Sequence, residues 1–396
     1  MRRQLEQFGQ FAVDVILDRR SGFKANCMRM FLSSLSRIYR VVVSARLSLY
    51  RNRIIRERNL GCLVVSIGNL TVGGTGKTPV VEKFARSLKD GGRRPVILSR
   101  GYKSKKPPLM KRIIGKMKGE NEINPPRVVS DGKSLLLDSK TAGDEPYMLA
   151  ANLKDVPVIV DKDRVKSGRH AISEMNADTL ILDDGLQYLR LRHRLDIVLV
   201  DRWHPFGTEK MLPRGTLREP PKNLKRASYI FITKCNGDSN EDLKKRIRLY
   251  NRTAEIIECE HRPMHLENIE NREIMALDEI KGKHVGTVSA IAVPESFEHG
   301  VEKLGATIEQ TCRFMDHHRF TEQEILTFIN DCVEKEVDMI ITTEKDYVRF
   351  PRLTRMDVPI YFLRVEIGIL SNEESFEDCI VRICQPRPIL PARRFF

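Results

Sequence analysis

The chain has 396 residues, of which 41% are hydrophobic, so it can bury a full core and is neither a disordered nor a fibrous protein. Its net charge is +15, from 68 lysines and arginines against 53 aspartates and glutamates, which favours an anionic partner. No zinc-finger spacing, RNP-like aromatic signature or basic-region heptad accompanies this charge, so nucleic acid is not the predicted partner.

The first 58 residues form a basic region that is predicted to lie on a membrane surface. Between Asp18 and Glu57 there is no acidic residue, whereas ten arginines and lysines fall in that window. On a helical wheel the apolar side chains share one face, namely Leu35, Ile38, Tyr39, Val42, Ala45 and Leu49. Such a helix is typical of a peripheral membrane segment. No stretch reaches the roughly 18 apolar residues of a spanning helix.

Two other interpretations of the basic region stay open. An ordinary amphipathic helix packed on its own domain shows the same pattern, and an Arg-rich, Ser-containing start also resembles an organelle-targeting segment. The cysteines are scattered without a Cys-x-x-Cys pair, which indicates a reducing compartment and no cysteine metal site. We therefore expect a peripheral protein of the mitochondrial inner membrane, or alternatively of the cytoplasmic face of a bacterial inner membrane, with no obligate protein partner.

From residue 59 to residue 236 apolar runs alternate with helix-like segments. The runs are CLVVSI (62–67), PVILS (95–99), VPVIV (156–160), TLILDD (179–184), DIVLVD (196–201) and YIFITK (229–234). Continuous apolar runs of this length are typical of strands buried on both faces of a parallel sheet. This alternation predicts an α/β, doubly wound, mainly parallel domain.

Residues 237–396 repeat the alternation more weakly, which predicts a second, smaller α/β domain. Its expected strands are HVGTVSAIA (284–292), VDMIITT (337–343) and VPIYFLRV (358–365). Helices are expected over 293–304 and 321–335, with Thr321 as the N-cap of the second.

The first predicted strand leads through LTVGGTGKT (70–78) directly into a helix. A phosphate-binding loop needs this order, because its glycines let backbone N–H groups wrap a phosphate at the start of the helix. Lys77 would reach the β and γ oxygens of ATP, and the Thr78 hydroxyl would bind Mg²⁺. The predicted nucleotide-binding residues are Thr71, Val72, Gly73, Gly74, Thr75, Gly76, Lys77 and Thr78.

A phosphate-binding loop also needs a carboxylate at the end of a neighbouring strand to hold the metal. Asp183 and Asp184 close the apolar run TLILDD and are followed at once by Gly185. A turn-forming Asp-Gly pair explains Asp184 but leaves Asp183 without a role. We therefore expect both carboxylates near the Mg²⁺.

Seven segments in order carry a family resemblance: SIGNLTVGGTGKTPVV, LSRGY, AGDEP, LDDGLQ, LPRGTLREP, MDHHRF and TTEKD. Together they resemble the tetraacyldisaccharide 4'-kinases of lipid A biosynthesis, over roughly residues 30 to 350. The resemblance implies ATP and Mg²⁺, an acylated disaccharide 1-phosphate as the lipid substrate, and phosphorylation of its 4'-hydroxyl. It also implies two α/β domains and an N-terminal membrane-associated helix.

The resemblance further implies roles for single residues. Asp144 of AGDEP would lie close to the acceptor hydroxyl, and His317 of MDHHRF would orient that carboxylate and raise its basicity. Lys77 and Asp183 would complete the catalytic set, and Glu219 would join Thr78, Asp183 and Asp184 at the metal. The adjacent His318 is a competing partner for Asp144.

Departures from the family pattern leave three alternatives. Lys103, Ser104 and Lys105 follow SRGY, and a lysine-rich loop continues to residue 119, so a kinase of another acylated sugar is one alternative. A membrane-bound nucleotide-dependent regulator is the second. A GTPase is the third, although Val72 stands where such proteins carry lysine, and Thr233-Lys234-Cys235-Asn236 lacks the final aspartate of a guanine-binding motif.

Overall fold

The computed structural model describes residues 2–101 and 125–385, with side chains described from Gly9 onward. Two helices come first, α1 (Arg2–Ile16) and α2 (Phe23–Arg51). The predicted amphipathic helix corresponds to α2, whereas α1 was not predicted. No helix in the described ranges is long and apolar enough to cross a membrane. The predicted lysine-rich loop (103–119) lies outside the described residues.

The first series of strands matches the six predicted runs and adds one short strand, β3. The strands are β1 (Leu63–Asn69), β2 (Pro95–Ser99), β3 (Arg127–Ser130), β4 (Val158–Val160), β5 (Thr179–Asp183), β6 (Leu195–Asp201) and β7 (Tyr229–Thr233). The helices between them are α3 (Lys77–Asp90), α4 (Ser139–Ala142), α5 (Asp144–Asn152), α6 (Arg164–Met175) and a 3-10 helix (Pro221–Arg226). All pairings in this series are parallel except that of β3 with β4.

Helix α3 shows why this series packs as layers. Its apolar residues Val80, Val81, Phe84 and Leu88 are spaced to face one side, and all four are buried against the strands. Burying one such side chain contributes roughly 1.5 to 3 kcal/mol, so the helix that follows the phosphate-binding loop is held firmly on the sheet.

The second series is α7 (Glu241–Arg248), β8 (Glu255–Asn268), β9 (Ile274–Met275), a 3-10 helix (Leu277–Ile280), β10 (His284–Ser289), α8 (Pro294–Lys303), β11 (Thr307–Arg313), α9 (Glu322–Glu334), β12 (Met339–Thr343), α10 (Glu344–Tyr347), β13 (Ile360–Ser371) and α11 (Glu373–Cys384). The predicted strands correspond to β10, β12 and β13, and the predicted helices to α8 and α9. Thr321 caps α9 as expected, since its hydroxyl accepts a hydrogen bond from the N–H of Glu324.

Both series join in one 13-stranded sheet with the order β11-β10-β12-β13-β8-β7-β6-β1-β5-β2-β4-β3, and β9 pairs with β8. The join is β8, which is also tied to the rest of the second series by a long antiparallel pairing with β13. One end of β8 also pairs in parallel with β7. Helix α11 returns to the first series, where Phe376 packs edge-on against Phe84 at 5.8 Å and Phe231 at 6.2 Å. The domain boundary at residue 236 stays a prediction.

A buried ion cluster links the two series beside this join. Arg364 of β13 donates hydrogen bonds to Glu82 of α3 and, at 2.7 Å, to Glu344 of α10. Burial alone would lower the pKa of Arg364, but the two carboxylates more than offset it and raise that pKa above its ordinary value. Asn152 of α5 also donates to Glu82 and Glu344. The cluster therefore ties the phosphate-loop helix to both α5 and the second series.

We predict that Arg364→Ala lowers the free energy of unfolding by about 3 to 5 kcal/mol, because it leaves the buried Glu344 without its cation and Glu82 with only the partly exposed Arg86. The control is Arg355→Ala, which removes an arginine that is half exposed and paired with Asp357, and should cost less than about 1 kcal/mol. Urea unfolding of both variants measures the difference. Equal losses for the two variants would contradict the coupling role of the cluster.

Candidate active site

The phosphate-binding loop runs from the end of β1 to Gly76, the N-cap of α3. Gly73 and Gly76 have φ values of 126° and 75°, in the left-handed region that favours glycine. Asn69 donates a hydrogen bond to the Thr75 hydroxyl at 2.9 Å, and the Thr233 hydroxyl donates to the Thr75 carbonyl at 2.9 Å. No described side chain caps α3, so its first N–H groups are available to an anion.

The segment LPRGTLREP lies along the other side of this loop. The Val72 N–H donates to the Thr216 carbonyl at 2.8 Å, and the Arg218 N–H donates to the Leu70 carbonyl at 2.7 Å. The Arg218 guanidinium then binds both oxygens of Asp184, each at 2.8 Å. LPRGTLREP thus packs beside the phosphate-binding loop and Asp184, and Arg218 was not among the predicted site residues.

The pKa values of Asp183 and Asp184 are shifted in opposite directions. Burial, with Glu145 and Asp184 nearby, raises the pKa of Asp183 to about 6. Burial acts the same way on Asp184, but the hydrogen bonds from Arg218 and the charge of Lys77 override it and lower the pKa of Asp184. Lys77 Nζ lies 3.9 Å from Asp184 Oδ1. The structure therefore brings Lys77 and both predicted carboxylates together.

Asp183 has the free oxygen that a metal site needs. The Ser99 hydroxyl donates to its Oδ2 at 2.9 Å, whereas its buried Oδ1 has no partner among the described residues. A buried carboxylate oxygen without a partner is costly, and a cation or its water would satisfy it. Thr78 is buried at the start of α3, next to Lys77. Asp183 and Thr78 therefore fit Mg²⁺, which needs few protein ligands when it also binds phosphates.

Glu219 lies in the same region but is already occupied. Its carboxylate accepts hydrogen bonds from Arg226 at 2.9 and 2.8 Å, from Asn223 at 2.7 Å and from Gln187 at 3.2 Å. Within the described ranges, no three His, Cys, Asp or Glu side chains form a group that could hold a metal. The structure does not bring Glu219 into an open ligand position, and its role at the metal stays a prediction.

Asp144 begins helix α5 and is held by side chains from the second series. Arg349 Nε donates to one oxygen at 2.8 Å, and Arg319 Nη2 donates to the other at 2.8 Å. His317 Nδ1 lies 3.5 Å from Asp144. Burial would raise the pKa of Asp144, but the contact with His317 and the charge of Arg349 override it and lower that pKa to about 2.

His317, and not His318, is the histidine beside Asp144. His318 instead contacts Glu324 at 3.0 Å and stacks on Phe314 at 4.6 Å between ring centroids. Arg349 Nη2 lies only 3.0 Å from His317 Nδ1. Nδ1 therefore lies between a carboxylate, which can only accept a hydrogen bond, and a guanidinium, which can only donate one, and the tautomer of the ring decides which of the two it bonds.

The expected rise in the basicity of Asp144 is absent from this arrangement, because the contact with His317 and the charges of Arg349 and Arg319 all lower the pKa of the carboxyl. Neither arginine was predicted as a site residue. The available signal was their position, since Arg319 lies inside MDHHRF and Arg349 follows TTEKD closely. Asp346 of TTEKD accepts a hydrogen bond from Arg349 at 2.9 Å, so this motif positions the arginine that binds Asp144.

We predict opposite effects on stability from neutralising the two neighbouring aspartates. The folded state disfavours ionised Asp183. The resulting loss of folding free energy is fully present above a pH of about 6, and it fades as the pH falls toward about 3.8, the pKa of this carboxyl in the unfolded chain. Asp183→Asn should therefore stabilise the metal-free protein at pH 8 by on the order of 2 kcal/mol, and by little near pH 4.

Asp184→Asn is the matched control, because the pKa of Asp184 is lowered in the folded protein. Ionised Asp184 therefore stabilises the fold at pH values above the pKa that this carboxyl has in the unfolded chain. This variant should be less stable than the wild type at pH 8. Urea unfolding at both pH values, with a chelator present, provides the measurement. A loss of stability from Asp183→Asn at pH 8 would contradict the assigned state of that carboxylate.

Comparison with known proteins places this site in a family. The family model of tetraacyldisaccharide-1-P 4'-kinase (LpxK) matches residues 28–385. The tetraacyldisaccharide 4'-kinase of Syntrophus aciditrophicus is 36% identical over 89% of this chain and 92% of its own length. The enzyme of the same name from Halothermothrix orenii is 35% identical over 93% of this chain and 96% of its own.

A solved structure agrees with these relatives. The crystal structure of LpxK from Aquifex aeolicus in complex with ATP superposes with a TM-score of 0.70 and 27% sequence identity, covering 90% of this chain and all of that one. The α/β fold with a large, mainly parallel sheet is thereby confirmed. By its sequence, its fold and the residues at its phosphate-binding loop, the chain belongs to the tetraacyldisaccharide 4'-kinase family.

Proposed function

We propose that this protein transfers the γ-phosphate of ATP to the 4'-hydroxyl of a tetraacyldisaccharide 1-phosphate, forming the 4'-phosphorylated lipid of lipid A biosynthesis. The observation that carries the proposal is the junction of the two series. There, the buried Asp144 carboxylate directly precedes Glu145, whose charge contributes to the raised pKa of Asp183, so the start of α5 lies near the carboxylates at the end of β5. Membership of the kinase family supports the same reaction.

Different residues of the phosphate-binding loop and its surroundings bind different parts of ATP in this proposal. The N–H groups at the start of α3 bind a phosphate, and Lys77 neutralises charge on the transferring group. A bound Mg²⁺, held by Thr78 and Asp183, would supply further positive charge to the phosphates. Arg218 keeps Asp184 close to Lys77 and fixes the start of the loop through its N–H group. These groups would hold the γ-phosphate toward the β5 side of the loop.

Asp144 receives the proton of the acceptor hydroxyl. In phosphoryl transfer the hydroxyl becomes acidic as its oxygen bonds to phosphorus, so a well-placed carboxylate accepts the proton late, even with a low ground-state pKa. Arg349 is fully buried and fixes the carboxylate, whereas Arg319 is partly exposed. Displacement of Arg319 by the acceptor would remove one positive charge from Asp144 and raise its pKa.

We predict that Asp144→Asn lowers the rate of phosphate transfer by a factor of about 100 to 10,000, because the amide cannot accept the proton. The affinity for Mg-ATP should change less than about twofold, since the side chains that bind Asp144, namely His317, Arg319 and Arg349, all lie in the second series. Transfer of label from γ-³²P-ATP to the acceptor in mixed micelles measures the rate, and calorimetry measures ATP binding.

The controls for this experiment separate the alternatives. Asp316→Asn changes a neighbouring, more exposed carboxylate and should retain most of the activity. A second acylated sugar offered as acceptor tests the other-substrate alternative. Full activity of Asp144→Asn would contradict the assigned role, and ATP binding by the wild type without transfer to either acceptor would favour a regulator.

Helix α2 supports a peripheral site on a membrane. Its outer face leaves large apolar side chains in solvent, including Phe23 at 85%, Phe31 at 64% and Val41 at 67% of their full exposure. The opposite edge packs on the protein, where the buried Ser36 hydroxyl donates to the Met211 carbonyl at 2.6 Å. The helix is thus both packed on its own domain and apolar outside. Arginines flank the exposed face, which suits anionic lipid headgroups.

We predict that Phe31→Glu together with Val41→Glu weakens binding to vesicles of phosphatidylcholine and anionic phosphatidylglycerol by at least about tenfold, because each change removes apolar contact and adds like charge. The control, Val333→Glu, alters a similarly exposed apolar residue on α9. Vesicle co-sedimentation measures binding. Equal vesicle binding by the double variant and by Val333→Glu would contradict the proposal that the exposed face of α2 binds the membrane. The identity of the membrane, mitochondrial or bacterial, stays a prediction.

A further inference from the structure

His261 of β8 lies against the phosphate-binding loop although no sequence motif marked it. A Cβ atom placed on Gly76 would lie 2.5 Å from His261 Nε2 and 2.8 Å from its Cε1. The imidazole therefore covers the N-cap residue of α3. At this position a side chain larger than hydrogen would strike the ring, in addition to the strain of the left-handed backbone.

The inner nitrogen of this ring lacks a partner. His261 Nε2 is shielded from solvent and makes no hydrogen bond within the described part of the chain. Burial and the nearby Lys234 lower the pKa of His261 to about 4, so the ring is neutral at physiological pH. A buried ring nitrogen left without a hydrogen-bond partner costs about 1 to 3 kcal/mol, which is unusual unless a ligand supplies that partner.

The sheet order shows which part of a nucleotide would come close to this ring. Asp183 and Asp184 end β5, on one side of β1, and β6, β7 and β8 lie on the other side. In the proposed function the γ-phosphate lies beside Asp183 and Asp144, so the side of the loop toward β6, β7 and β8 is left for the other phosphates. The charged groups near His261 are Lys234 and Asp201. They form an ion pair with each other at 2.6 Å, and neither makes a hydrogen bond with His261 Nε2.

We propose that His261 is a nucleotide-binding residue whose Nε2–H donates a hydrogen bond to a phosphate oxygen of ATP, on the side of the phosphate-binding loop away from Asp183. This inference rests on the proposed function only for ATP as the phosphate donor. It assigns no proton transfer to His261. The ring supplies a neutral donor where the start of α3 and Lys77 already provide positive charge.

The test compares two substitutions by calorimetry with Mg-ATP and with Mg-tripolyphosphate, neither of which needs the lipid acceptor. His261→Leu fills a similar volume but cannot donate, and it should weaken binding of both ligands about tenfold. His261→Gln retains a donor near the same place and should stay within about threefold of the wild type. The control is His265→Leu, which removes another histidine of β8. Its Nε2 lies 4.0 Å from the Glu267 carboxylate, so this variant should bind both ligands like the wild type.

Wild-type affinity of His261→Leu for both ligands would overturn the inference. A loss confined to Mg-ATP would overturn the phosphate assignment and move the contact to the nucleoside. If His261→Leu does not fold, His261→Ala takes its place, and equal affinities of His261→Ala and His261→Gln would overturn the inference. A wild type that binds no Mg-ATP would instead overturn the proposed kinase function.

Discussion

The antiparallel pairing of β8 with β13 is the constraint on which the site depends. Apart from the short strands β3 and β9, the strands on either side of this pairing run parallel to their neighbours. Because β8 also pairs with β7, the ribbon connects both sets of strands in a single sheet. The join brings Arg319 and Arg349 of the second series onto Asp144 of the first, and it brings Arg364 onto Glu82 of the phosphate-loop helix. His261 reaches Gly76 because β8 continues past β7 into the same ribbon. The residues that distinguish this site from a bare phosphate-binding loop therefore all depend on one strand pairing.

Polar groups at the site fall into two kinds. Asp144, Asp184 and Glu219 are held by arginines, which keeps these carboxylates in place before any ligand arrives. Asp183 Oδ1 and His261 Nε2 are buried without partners in the described structure. The paired groups fix the geometry, and the unpaired groups face the places where a metal ion and a phosphate would bind. Preorganised groups of this kind avoid reorganisation during the reaction, which is how an enzyme stabilises developing charge on a transferring phosphate.

Much of the fold could be predicted because its strands are continuous apolar runs, and the phosphate-binding loop because glycine, lysine and threonine stand at fixed spacing. Strand β11, TIEQTCR, was missed because its polar alternation resembles an exposed loop, and β8 because its second half is largely polar. The contacts of Arg349 and His261 could not be predicted, since they depend on how two distant segments pair. The choice between His317 and His318 likewise required the backbone, because adjacent residues differ only in the direction of their side chains.

The central claim is that this junction transfers phosphate to one hydroxyl of an acylated disaccharide. The most direct measurement is the structure of the product that the wild-type protein forms from Mg-ATP and a tetraacyldisaccharide 1-phosphate, determined by ³¹P and ¹H nuclear magnetic resonance. The account predicts a single new monophosphate ester whose phosphorus couples to the proton on carbon 4', with one ADP released per ester. Release of ADP without any new ester, or an ester at another position, would contradict it.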